Sequence, residues 1–180
     1  MKRSSVSSSR TRPIVKTFRK TALVLGVAVT AMSPCWALSG MGTAEVTLLE
    51  DGRPCFAVPA KNAKRDPAAR IQGLSVIDDA DPSGRKMWTA KLWEMDGGGV
   101  PVSSVSCIAY GQAFDGIGAS PAIELSETRA YYVSLNVRPS DRSDPTRGYY
   151  AKFCLLGRGA ERRVKLISES SADWYTKKCE

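Results

Sequence analysis

Glu45-Val-Thr-Leu-Leu-Glu-Asp-Gly-Arg-Pro-Cys-Phe-Ala-Val-Pro59 places two apolar runs on either side of Asp51-Gly52. Asp-Gly is a preferred pair for a two-residue type I′ hairpin turn, because both central positions need positive φ. Folding about that turn sets Glu50 opposite Arg53, Leu48 opposite Cys55 and Val46 opposite Ala57. On the other face Leu49 meets Pro54, Thr47 meets Phe56 and Glu45 meets Val58. The expectation is a hairpin with a charge pair at its tip and a cysteine in its apolar body, seeding a β domain.

Towards the C-terminus, residues 61–70 read as a loop or a short turn of helix, 71–77 as a strand and 78–84 as an acidic turn. Residues 87–95 read as a strand, joined through Gly97, Gly98 and Gly99 to a second strand at 102–110. A short edge piece follows at 121–125. Residues 131–137 alternate most cleanly, with Tyr131, Val133, Leu135 and Val137 on one side and Tyr132, Ser134 and Asn136 on the other. That period of two marks a half-buried strand. Residues 149–156 repeat the pattern after a polar loop at 138–148, and 162–167 form a last strand with Val164 and Leu166 inward. About eight short strands with turn signals between them predict an all-β fold, an antiparallel β-sandwich over residues 45–180.

Towards the N-terminus, residues 38–44 are Gly-rich and read as a flexible lead-in. Before them, Lys2, Arg3, Arg10, Arg12, Lys16, Arg19 and Lys20 precede an apolar, uncharged run at 21–31, then Ser33-Pro34 and Cys35-Trp36-Ala37. A charged segment, a short apolar core and a small final residue predict a secretory signal peptide over 1–37, cut after Ala37. The apolar core is too short to span a bilayer, so no stable membrane span is expected. Cys35 follows Pro34 rather than a small residue, so lipid anchoring there is not expected and the mature protein should be soluble in the periplasm. The basic leader also accounts for the formal charge of +8. The body is close to neutral and lacks the basic surface that nucleic-acid binding needs.

Four cysteines remain in the body: Cys55, Cys107, Cys154 and Cys179. An even number in an exported chain points to two disulfides. Of three possible pairings, Cys55–Cys107 with Cys154–Cys179 is the one we favour.

The chain has no histidine, which excludes Ser-His-Asp and Cys-His nucleophilic sites and His-bearing zinc sites. Ser83-Gly-Arg-Lys86 matches S-x-x-K, but Pro82 and Gly84 make it a turn rather than the helix that spacing serves. Asp79-Ala-Asp81-Pro-Ser83-Gly84 opens like a calcium loop, yet the position of the closing bidentate Glu holds Ala90. A solvated hairpin end is the simpler reading. Asp115, Glu124 and Glu127 are acids without a spacing that pairs them across a cleft. Trp88, Trp93 and the paired tyrosines at 131–132 and 149–150 are available to line a binding face, with one tyrosine of each pair pointing outward. No metal or cofactor is expected.

Gly52-Arg-Pro-Cys-Phe-Ala-Val-Pro59, Val105-Ser-Cys-Ile-Ala-Tyr-Gly111 and Tyr149-Tyr-Ala-Lys-Phe-Cys154, in that order, resemble a family of small exported bacterial proteins, the type VI secretion immunity periplasmic lipoproteins. The resemblance implies a periplasmic β-sandwich that binds and neutralises a toxic protein effector, and is not an enzyme. The expected contact surface joins the loops at 78–86 and 138–148 to the outward tyrosines. Its candidate residues are Asp78, Asp79, Asp81, Tyr132, Tyr150, Asp141, Arg142, Asp144 and Arg147. The alternative is a small exported hydrolase or ligand-binding protein that uses carboxylates.

Overall fold

The computed structural model describes residues 40–105, 107–115, 118–177 and 179. The expected signal peptide over 1–37, with Cys35, lies outside the described residues. The strands are β1 (Gly40–Thr43), β2 (Glu45–Leu48), β3 (Pro54–Ala57), β4 (Arg70–Asp78), β5 (Lys86–Ala90), β6 (Val100–Pro101), β7 (Ile108–Ala109), β8 (Ala130–Arg138), β9 (Thr146–Leu156) and β10 (Arg163–Ile167). Two short helices, α1 (Ala60–Arg65) and α2 (Asp173–Thr176), accompany them.

The fold is all-β with two sheets. The larger runs β1-β9-β8-β4-β5, and the smaller is β2-β3-β7. Two long strands each share one edge between two short partners. β9 pairs with β1 along one half and with β10 along the other, while β4 pairs with β5 and with β6. The small sheet packs over one face of the large one, and their apolar sides form one core. Phe56 meets Phe153 across it, with ring centroids 5.6 Å apart. Tyr131, Val133, Leu135 and Val137 of β8 all point into this core, as their alternation predicts.

The opening hairpin forms in a different register. Val46 pairs with Phe56, Thr47 with Cys55 and Leu48 with Pro54. The loop has three residues instead of two: Leu49 N–H donates to Arg53 O (2.9 Å), Gly52 N–H donates to Leu49 O (2.9 Å), and Gly52 has φ 79°. This is the second common hairpin solution, a turn closed by one left-handed glycine. The one-residue slip changes which side chains meet. Val46 and Phe56, both buried, now face each other. The tip ion pair becomes Asp51–Arg53 (2.7 Å) instead of Glu50–Arg53.

Five further expectations are corrected. The flexible lead-in contains a strand: β1 lies parallel to β9, and a Cβ on Gly42 would stand 2.6 Å from the Tyr149 ring. The glycine serves close packing rather than flexibility. Residues 87–95 are strand only to Ala90; the chain then makes a tight turn at Leu92–Glu94 that buries Leu92 in the core. Residues 102–110 are not one strand paired with it. They divide into a turn at Val102–Ser104 and β7, which belongs to the other sheet. Residues 121–125 form no strand, although Ile123 N–H donates to Met87 O (3.0 Å) alongside β5. In β10, Val164 packs on the core, but Leu166 is half exposed and Ile167 is the buried residue.

Both favoured disulfides are present, Cys55–Cys107 and Cys154–Cys179. The second ties the C-terminal tail over the outer face of β9, where Cys154, Cys179, Ile167 and Ala130 make a small second cluster. Among the described residues no helix is long and apolar enough to cross a membrane.

Candidate functional site

The core-facing side of the large sheet is covered by the small sheet. Its outer side carries the alternate residues of β8 and β9: beyond the small apolar cluster at Ala130 and Cys154 these are Tyr132, Ser134, Asn136, Tyr150 and Lys152. Tyr132 stacks on Tyr150 (5.7 Å between centroids, 24° between planes), and Tyr150 meets Trp174 of α2 at 6.1 Å. The outward member of each tyrosine pair is the one that alternation selects; Tyr131 and Tyr149 are buried.

Lys152 lies beneath this ladder. It is only 8% exposed and its ammonium is held three ways: an ion pair to Asp79 (2.8 Å), a donated bond to Trp174 O (2.9 Å), and the Trp174 ring 4.5 Å away. A charge this far out of water needs such partners. Lys152 thereby joins the β4–β5 loop to the tail. Tyr150 donates its hydroxyl to Glu169 Oε1. That bond to a carboxylate, aided by burial, pushes the Tyr150 phenol up to about 12. Burial, with the charges of Asp79 and Glu169, also raises Tyr132. A groove of about 450 Å³ opens beside the ladder, walled by Tyr150, Lys152, Leu166, Glu169 and Trp174.

The remaining candidate residues lie elsewhere. Asp78 is buried and bound to Arg129 (2.7 Å), and its Oδ1 accepts from Ala80 N–H (3.1 Å), so it shapes the hairpin base. Asp81 accepts from the Ser83 hydroxyl and N–H (2.7 and 2.8 Å), which lower its pKa. Asp141 repeats that turn with Ser143, whose N–H and then hydroxyl lower it. Asp144 pairs with Arg65 (3.2 Å) and accepts from Thr146 N–H (2.8 Å), the largest cause of its lowered pKa. Arg147 donates to Asp144 O (2.6 Å), and Arg142 is exposed.

The two loops do not form one surface with each other. Asp79 N–H donates to Ala130 O at the start of β8, whereas the second loop leaves its other end after Arg138. Nine residues of strand separate them by about 25 Å. The second loop is instead tied to the segment after α1, where Ser140 gives both N–H and hydroxyl to Asp66 (2.8 and 2.6 Å). Only the first loop meets the tyrosine face, through Asp79.

Lys152, Glu169 and Trp174 belong to this face but carried no sequence signal. Lys152 sits within a strand pattern as an ordinary outward residue, and Trp174 arrives only through the tail. Trp88 is core, packed edge-on against Tyr110 (5.5 Å), whereas Trp93 is exposed. Of the acids weighed for hydrolysis, Glu127 pairs with Arg158 (3.1 Å). No known protein family, curated protein or solved structure matches the chain.

Proposed function

We propose that this protein is an exported, non-enzymatic binding domain that recognises another protein through the tyrosine face of its large sheet. Within that class we read it as an immunity protein that neutralises a toxic type VI secretion effector in the periplasm. The observation that carries the reading is the Tyr132–Tyr150–Trp174 ladder, held on a rigid sheet and anchored from below by Lys152 and Asp79. Rigid aromatic side chains of this kind dominate binding energy in protein interfaces. Two disulfides suit an oxidising compartment. The immunity reading rests on the three-segment resemblance, and the Asp79 loop remains part of the surface while the loop after β8 is left out of it.

The test is capture of the mature protein's partner from the products of neighbouring genes, followed by affinity measurement. Tyr132→Ala or Tyr150→Ala should weaken the complex by roughly 2 kcal/mol or more. An Arg142→Ala change, on the distant loop, should leave it unaltered. Recovery of no partner, with turnover of a glycan or peptide by the protein alone, would overturn the reading.

A further inference from the structure

On the same outer face, towards β5, the strand register sets one hydroxyl opposite the next across four strands. Tyr150 of β9 pairs with Ser134 of β8, Ser134 with Ser75 of β4, and Ser75 with Thr89 of β5. Their chain neighbours Val133, Leu135, Leu74, Val76, Trp88 and Ala90 are buried in the core, so these four point away from it. Spaced one strand apart, they span about 14 Å.

Tyr150 and Thr89 are engaged, by Glu169 and by Ser120 (3.3 Å). Ser75, Ser134 and the adjoining Asn136 have no side-chain hydrogen-bond partner among the described residues. A groove of about 250 Å³ lies over them. Its wall is Trp93, 49% exposed, whose ring rests on Gly73; a Cβ there would come within 3.2 Å of it. The turn that ends β5 therefore presents an indole in a set place beside free hydroxyl and amide groups.

The groove also has a sign. Lys86 and Lys91 line it, no carboxylate does, and neither lysine is in an ion pair among the described residues. A protein partner would need apolar floor to bury, since the core of an interface is apolar. This floor is Gly73, Ser75, Thr89, Ser134 and Asn136, while Leu74 and Ala90 below it turn their side chains into the core. An exposed indole beside a polar floor instead suits a sugar, whose C–H face packs on the ring while its hydroxyls bond to side chains. The two ammonium groups select a sugar that carries negative charge.

We infer that the groove over Ser75, Ser134 and Asn136, walled by Trp93 and flanked by Lys86 and Lys91, binds an acidic saccharide bearing carboxylates. This groove borders the tyrosine ladder at the Ser134–Tyr150 pair but shares no lining residue with the groove beside that ladder, and it does not depend on the protein-binding reading.

The test titrates the mature protein with tri-galacturonate, following tryptophan fluorescence and heat, with maltotriose and poly-glutamate as comparators. The expected result is saturable binding of tri-galacturonate that weakens as salt rises. Trp93→Ala and the double change Lys86→Glu/Lys91→Glu should each reduce it by about tenfold or more. Ser134→Ala should reduce it less and Arg142→Ala should leave it unaltered, with near-UV circular dichroism checking that each variant is folded. Three results would overturn the inference: no binding of tri-galacturonate; equal binding of maltotriose, which removes the charge selection; or poly-glutamate binding as well as the saccharide and indifferent to Trp93→Ala, which makes the groove a site for acidic peptide.

Discussion

Lys152 shows how one side chain can carry two parts of a fold. Its charge is out of water, so its partner's removal costs more than the pair itself is worth. Asp79→Ala should therefore lower stability in urea by about 3 kcal/mol, while Lys152→Met combined with Asp79→Leu should recover much of that loss. A double change no better than Asp79→Ala would mean that the pair is not the cause. Tyr150 gives a second expectation, in the alkaline range. Its phenol is raised from 10.0 to about 12, so the neutral, donating form is favoured in the fold. The stability this contributes is complete below pH 10 and is lost as pH rises through about 12. Difference absorbance of the phenolate, wild type against Tyr150→Phe, should show that late titration. Glu169→Gln should move it back towards 10.0, because the carboxylate bond is its largest cause.

Among the elements, the tail and β1 depend most on particular contacts. Cys154–Cys179 closes a sequence separation of 25 residues, for which the chain-entropy estimate is about 3.5 kcal/mol. Cys154→Ser/Cys179→Ser should lose about that much. It should also make the tail the first site of proteolysis, because the bond holds α2 over β9. Intact-mass analysis after brief digestion would locate the cut; cleavage elsewhere first would count against this role. In β1, Gly42→Ala would drive a methyl into the Tyr149 ring and should destabilise by about 1–3 kcal/mol in thermal unfolding. Gly40→Ala, whose nearest heavy atom is 3.8 Å away, should be far milder.

For the whole molecule, the two disulfides weigh heavily against a total that is small for any domain, about 5–15 kcal/mol. Cys55–Cys107 closes a longer separation, 52 residues, for an estimate of about 4 kcal/mol. Reducing both should leave the domain unfolded at body temperature. A non-reduced digest should show no free thiol at Cys55, Cys107, Cys154 or Cys179. Much of this architecture is legible in the chain. The alternation at 131–137 names the buried face of β8 and separates Tyr131 from Tyr132, and the repeat of that pattern at 149–156 marks β9. The even cysteine count announces two bridges. A period of two reports burial locally, residue by residue, and needs no knowledge of distant segments. The hairpin register, the strand hidden in a Gly-rich lead-in, the splitting of residues 102–110 between a turn and the second sheet, and the meeting of Asp79, Lys152, Glu169 and Trp174 were decided only in three dimensions. Each depends on which segment arrives from far along the chain to cover a given edge or face: the Tyr149 ring over Gly42, Phe153 against Phe56, the tail over β9. Contacts of that range leave no periodic mark in the residues that make them.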